Sequence, residues 1–283
     1  MVAILGGLGA AVVFAIGTLC NSRSSRMIGP SALLGWVMLL GLVIIAAPVA
    51  VDGIPDGLDA ESLGWMAVAG IGNVVGLLLA YAALRLGKVG LVAPVVSTQG
   101  AIAAVIAVIA GESISPGVGV LLAVIALGVF LAGSSEDLAE TGSRLDRRAA
   151  LYAVLAALAI GASLYAIGRV SSALTVAWSL LPSRVLGVVA VTTPLVLRSE
   201  LRLTRPALPL VVTGAACEVG GFALFAWGAR HGIAITAVLA SQFAVVSAVA
   251  AYFLFGERLA PVQVLGVTTV VVAVSILSGI QAG

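Results

Sequence analysis

Apolar runs that carry no charge recur along the whole chain, each close to the roughly 20 residues that a helix needs to cross the hydrocarbon core of a bilayer. They lie at 2–20, 29–50, 62–84, 89–110, 116–134, 149–168, 176–197, 206–229, 234–255 and 261–281, with Arg184 and Glu218 as the internal charges of the set. The runs are continuously apolar and do not alternate in the way that barrel strands do, so helices are expected. Composition agrees. Only 9% of the 283 residues are charged against 61% hydrophobic, and a water-facing surface needs roughly a quarter charged. The expected class is an all-α membrane protein with ten transmembrane helices.

The connections are short. Asp52-Gly53-Ile54-Pro55-Asp56-Gly57 is a turn cluster, and Gly111 followed by Ser115-Pro116 ends one helix and starts the next. The longest polar stretch runs from Ser134 to Arg148, too short for a soluble domain. No cleavable leader is evident before the first run. Cys20 and Cys217 form no metal or disulfide spacing, and the one histidine, His231, excludes a histidine-rich metal site. No metal and no cofactor are expected, and nothing points to a nucleic-acid partner.

Lysine and arginine set the orientation. With the N-terminus on side one, side two holds Arg23, Arg26, Arg85, Lys88, Arg144, Arg147, Arg148, Arg198, Arg202, Arg205 and Arg258. Side one holds Arg169 and Arg230, together with the acidic loop from Asp52 to Glu61. The basic side is therefore expected to be cytoplasmic, with both termini external.

A shift of 145 residues overlays the two halves from the third helix onward: Arg85 falls on Arg230, Gly87 on Gly232, Gly111 on Gly256, Glu112 on Glu257 and Pro116 on Pro261. Arg, Glu and Pro are scarce here, so their coincidence in register points to a repeat. The expected units are 1–134, a polar linker 135–148, and 149–283. Each half has five helices, so the second enters the membrane from the opposite side, which makes the repeat inverted.

With these features the chain resembles the drug/metabolite transporter superfamily, in its EamA-type branch. The resemblance rests on the turns Gly111-Glu112-Ser113-Ile114 and Gly256-Glu257-Arg258-Leu259, and on Ala82-Ala83-Leu84-Arg85 and Trp227-Gly228-Ala229-Arg230 before the fourth helix of each half. It covers essentially the whole chain. It implies a secondary transporter, exporter or facilitator, of a small organic metabolite such as an amino acid or amine, in a bacterial inner membrane. Two features depart from the family. Gln99 and Ala244 stand where a proline is usual, with Pro94 nearer the helix start, so a displaced kink is expected. Family members are also usually drawn with cytoplasmic termini, opposite to the charge count here.

An ionisable group at bilayer depth is costly and marks function by default. Glu218 sits midway along the eighth run, and its counterpart in the other half is Asn73. The two are expected near midplane, with the third and eighth helices brought together by the symmetry. Glu218 suits proton exchange or binding of a cationic amine, or else a buried structural pair with Arg184. Arg184 itself is read three ways: as that partner, as a contact for a substrate carboxylate, or as a side chain reaching the interface. Gln99 and Gln242, mid-helix, can bond a solute or a neighbouring backbone. Tyr81, Tyr165 and Trp227 are candidates for lining a cavity, whereas Trp65 and Trp178 read as interfacial. Gly72-Asn73-Val74-Val75-Gly76 is a close-packing motif, matched by Gly221 opposite Gly76. Glu112 and Glu257 read as structural charges at helix starts.

No phosphate-binding GxxxxGK[ST] loop, HExxH or serine–histidine constellation occurs, so an enzyme is not expected. The expected partners are a small-molecule solute, membrane lipid and protons as coupling ion. Alternatives are a translocator of lipid or lipid-linked sugar, and a non-transporting membrane scaffold. A fluorescent protein fused to the C-terminus should stay dark and an alkaline phosphatase fusion should be active; a glowing cytoplasmic tag would reverse the orientation.

Overall fold

The computed structural model describes residues 1–55, 58–87, 89–133, 144–247, 250 and 261–282. Every regular element among them is helical. They are α1 (Val2–Ile28), α2 (Pro30–Asp52), α3 (Ala60–Leu86), α4 (Val89–Ser97), α5 (Gln99–Ile109), α6 (Pro116–Gly133), α7 (Arg144–Ala173), α8 (Val176–Gly187), a π turn (Val188–Thr192), α9 (Thr193–Leu197), α10 (Leu208–Ala229), α11 (Ile233–Ala240) and α12 (Pro261–Ala282). Six apolar stretches are long enough to cross a membrane: 2–28, 30–52, 60–86, 147–173, 176–197 and 208–229. Shorter apolar helices lie at Val95–Ile109, Pro116–Gly128, Ile233–Ser247 and Val264–Val274. The protein is a multi-pass membrane protein.

Local chemistry sets the boundaries. A single residue, Gly29, joins α1 to α2; its φ of 88° lets it end one helix, and Pro30 starts the next. The Asp59 carboxylate accepts the Ser62 amide at the start of α3, and that bond holds the carboxyl below its ordinary value. The first helix runs eight residues beyond its expected end at 20. Ser24 and Ser25 turn their hydroxyls onto the carbonyls of Cys20 and Ser22, so a segment that looks like a polar loop stays helical and buried.

The expected displacement of the kink is not seen. The fourth run breaks at Thr98, beside Gln99. Thr98 donates both its amide and its hydroxyl to the carbonyl of Val95, which tightens the turn without a proline. The matching break follows α11, where the Ser241 hydroxyl takes the Val238 carbonyl and the Gln242 amide takes that of Leu239.

Small residues bring the helices together. α3 lies along α7 and α1 along α10, α2 packs on α8, α5 on α11, and α6 on α12. A methyl group on Gly72 would lie 2.7 Å from the carbonyl oxygen of Ala159, and one on Gly76 would strike Ile160. The GxxxG segment is thus a packing surface for α7. α3 and α10 are not among the principal packing pairs, contrary to expectation; small residues direct α3 onto α7 and α10 onto α1.

Glu112 also differs from expectation. It sits at a helix start, but not of the helix that follows it: its carboxylate accepts the amides of Ile233 and Ala234 and caps α11 from the other half of the chain. The second turn, with Gly256, Glu257, Arg258 and Leu259, lies outside the described residues, as do Lys88 and residues 134–143.

Two stability predictions follow. A methyl group at Gly6 would sit 2.6 Å from the Gly228 Cα, so Gly6→Ala should force α1 from α10 and cost about 1–3 kcal/mol, whereas Gly117→Ala, with nothing within 4 Å, should be neutral. Glu112→Ala strips α11 of its cap and should cost about 1 kcal/mol, with Glu112→Gln losing less. Thermal unfolding in one detergent checks both.

Candidate functional site

A cavity of about 70 Å³ lies in the middle of the bundle. α1 supplies Phe14, Thr18 and Asn21, and α3 supplies Leu77, Ala80, Tyr81 and Leu84. Val92, Ala93 and Val96 come from α4, Ile160 from α7, Glu218 and Phe222 from α10, with Gln99 and Phe243 at the two helix breaks. Both halves of the chain contribute. The walls are mostly apolar, with a few polar groups at defined points, as in ordinary small-molecule sites.

The cavity runs from Glu218 toward Asn21, Leu84 and Val92, at the ends of α1 and α3 that carry the basic residues. The opposite ends are tied together. Arg230 donates to the carbonyls of Ser171 and Leu174, each at 2.6 Å. Arg169 pairs with Glu61 at 3.0 Å, and the Thr175 hydroxyl donates to Asp52. Trp178 donates its indole N–H to the Gly53 carbonyl, as an interfacial tryptophan should.

Among the described residues, Glu218 is the one buried carboxylic acid and Arg184 the one fully buried cation. No ion pair within 4 Å joins them. Glu218 borders the cavity and makes no hydrogen bond to another described residue. Arg184 lies behind it, in the seam between α2, α8 and α10. One terminal nitrogen contacts the Met38 sulfur at 3.6 Å, while Nε and Nη2 have no partner. Its Cζ is 5.9 Å from the centre of the Phe222 ring.

Three expected residues meet at the cavity: Glu218, Tyr81 and Gln99, whose Oε1 has no partner. The others do not line it. Asn73 is buried one turn beyond Leu77, off the end of the cavity, and neither amide atom is bonded. Gln242 is buried at the second helix break with its Nε2 unbonded. Tyr165 packs edge-on against Trp65 instead, with ring centres 5.4 Å apart. Trp227 is 41% exposed and points outward. It stands nine residues after Glu218, two and a half helical turns, and so on the opposite face.

The sequence reading missed Asn21. Its amide donates to the Tyr81 hydroxyl at 3.2 Å, while its Oδ1 has no partner and lies against Gly214. The signal was an asparagine one residue past an apolar run that in fact continues. Phe14, Phe222 and Phe243 were missed because a phenylalanine in an apolar run carries no signal of its own.

No curated protein matches the chain. A solved crystal structure superposes with a TM-score of 0.74 over 96% of each chain at 16% identity, which shows a shared fold. Residues 1–134 match the EamA-like transporter family, the family that the turns and the repeat resemble. Through that first half, this polytopic chain is similar to the EamA-like transporters of the drug/metabolite transporter superfamily.

Proposed function

We propose that the protein is a secondary transporter, exporter or facilitator, of a small organic metabolite such as an amino acid or amine, working by alternating access between two five-span repeats. The observation that carries this reading is Glu218: a buried carboxyl group with no hydrogen bond to another described residue, at the wall of a cavity built from both halves. An acid in that position has to be matched by a solute, a proton or another charge. The cavity is small against ordinary ligand pockets of a few hundred Å³, so solute binding requires the helices to part.

In this reading ten spans cross a bacterial inner membrane: α1, α2, α3, α4 with α5, α6, α7, α8 with α9, α10, α11 with the residues that follow it, and α12. Residues 1–134 and 149–283 form inverted repeats joined by linker 135–148. The packing supports this. Exchange of the halves turns the α3–α7 seam into the α1–α10 seam and leaves the α2–α8, α5–α11 and α6–α12 seams in place. Individual contacts follow the same rule. Gly72 meets Ser163 as Cys217 meets Gly17, and Gly76 meets Ile160 as Gly221 meets Phe14. With the basic side cytoplasmic and the termini external, the cavity extends inward and the tied ends close the outside. Membrane lipid surrounds the spans, and protons are the proposed coupling ion.

An apolar groove of about 330 Å³ between α3 and α8, lined by Met66, Gly70, Leu181 and Pro182 among others, bears on the lipid-translocator reading. Its walls offer almost no polar group for a headgroup, so the metabolite reading is favoured.

The test has two steps. A thermal-shift screen of metabolites on the purified protein identifies a solute, because specific binding raises apparent stability. Flux of that solute into liposomes is then compared between the protein and Glu218→Gln. The variant should fold and lose most of its flux. Normal flux per folded molecule would defeat the reading.

A further inference from the structure

We propose that Arg184 is a tethered counter-cation for Glu218: the two side chains pair when the cavity closes without solute, and they separate when it opens. The proposal rests on the transport reading above and adds how the unloaded protein changes sides.

As it stands, the molecule holds a buried guanidinium and a buried carboxyl group that form no ion pair with each other. Arg184 is 0% exposed, and its Nε and Nη2 bond to nothing. A guanidinium does not lose its proton in a protein, and a buried charge left uncompensated is strongly destabilising. Glu218 is tolerated here because its carboxyl group ends at the cavity. When the cavity closes, that carboxyl group loses its access to water. A cation on the solute, a proton or a protein cation must then balance it.

The geometry places the protein cation against the helix that carries Glu218. Arg184 Cδ lies beside Gly41, where a methyl group would come within 2.9 Å of it, and Val219, the residue after Glu218, lines the same gap. Phe222, one turn on from Glu218 on the same helix face, touches Arg184 on one side and borders the cavity on the other. A change of rotamer at Phe222 opens the route between the two charges. The other titratable groups coupled to the pair are Tyr81 on α3 and Cys217 beside Glu218, with Cys20 on α1 next to Cys217. Met38 and Gly41 face Arg184 from α2. Among the described residues, no second cation is buried in the bundle.

The consequence is a carrier in which Arg184 balances Glu218 whenever neither a solute nor a proton does. Without Arg184, an ionised Glu218 would hold the empty carrier open to one side. Because the proposal concerns the unloaded protein, its test needs no solute. Spin labels are placed in a cysteine-free background, with Cys20 and Cys217 replaced. One pair goes on Ser113 and Ser172 at the tied ends, another on Met27 and Arg148 at the basic ends. Double electron–electron resonance then reads the distances in lipid nanodiscs without solute.

The parent protein should show two distance populations at each pair. Arg184→Met should collapse them to one, and the double variant Arg184→Met/Glu218→Gln, with neither charge, should restore both. Should Arg184→Met fail to fold, the double variant decides: two populations support the proposal and one overturns it. A parent with a single population, or Arg184→Met with the parent's distribution, also overturns it. Failure of the metabolite screen would count against the transport reading alone, since these distances are measured without solute.

Discussion

Lipid offers the backbone no hydrogen-bond partners, so every amide and carbonyl in the membrane must find one inside the protein. This constraint explains why helices dominate the described chain and where they are allowed to stop. The breaks at Thr98 and Ser241 are tolerated because hydroxyl groups take carbonyls at each bend and because both bends lie inside the bundle. The same constraint makes small residues valuable. With little hydrophobic drive between helices in lipid, association depends on close contact, and the α1–α10 and α3–α7 seams are built on Gly6, Gly72 and Gly76.

Against that apolar frame, the polar groups in the middle are costly and few. Glu218, Arg184, Asn73, Gln99 and Gln242 all carry polar atoms that are buried or face the cavity, and several of those atoms have no partner. A frame stabilised mainly by packing can carry a handful of unmatched groups. It would not gain from carrying them if shape alone were at stake, since apolar residues of similar size would serve as well. Two of them, Glu218 and Gln99, border the cavity, and Arg184 lies just behind Glu218.

Much of this was legible in the sequence. The apolar runs located the long spans, and Glu218 stood out because an acid in such a run has few innocent explanations. What stayed hidden had physical causes. The end of α1 was misjudged because serines that bond back to their own helix look like loop residues. Trp227 was misplaced through neglect of helical phase, which the spacing from Glu218 does record. The cap that Glu112 gives α11 spans more than a hundred residues, and no local pattern encodes it. Arg184 makes no ion pair with Glu218 and is turned instead toward Met38 and the Phe222 ring, a rotamer that composition does not reach.

The closure opposite the cavity has a property of its own. Arg230 and Trp178 donate to main-chain carbonyls there, and Glu112 accepts main-chain amides. Peptide groups do not titrate and cannot be removed by substitution. Half of each of these contacts is therefore immune to pH and to mutation of the residue that provides it. The residues that lend only their main chain, such as Ser171, Leu174 and Gly53, are free to change side chain while their half of the closure persists.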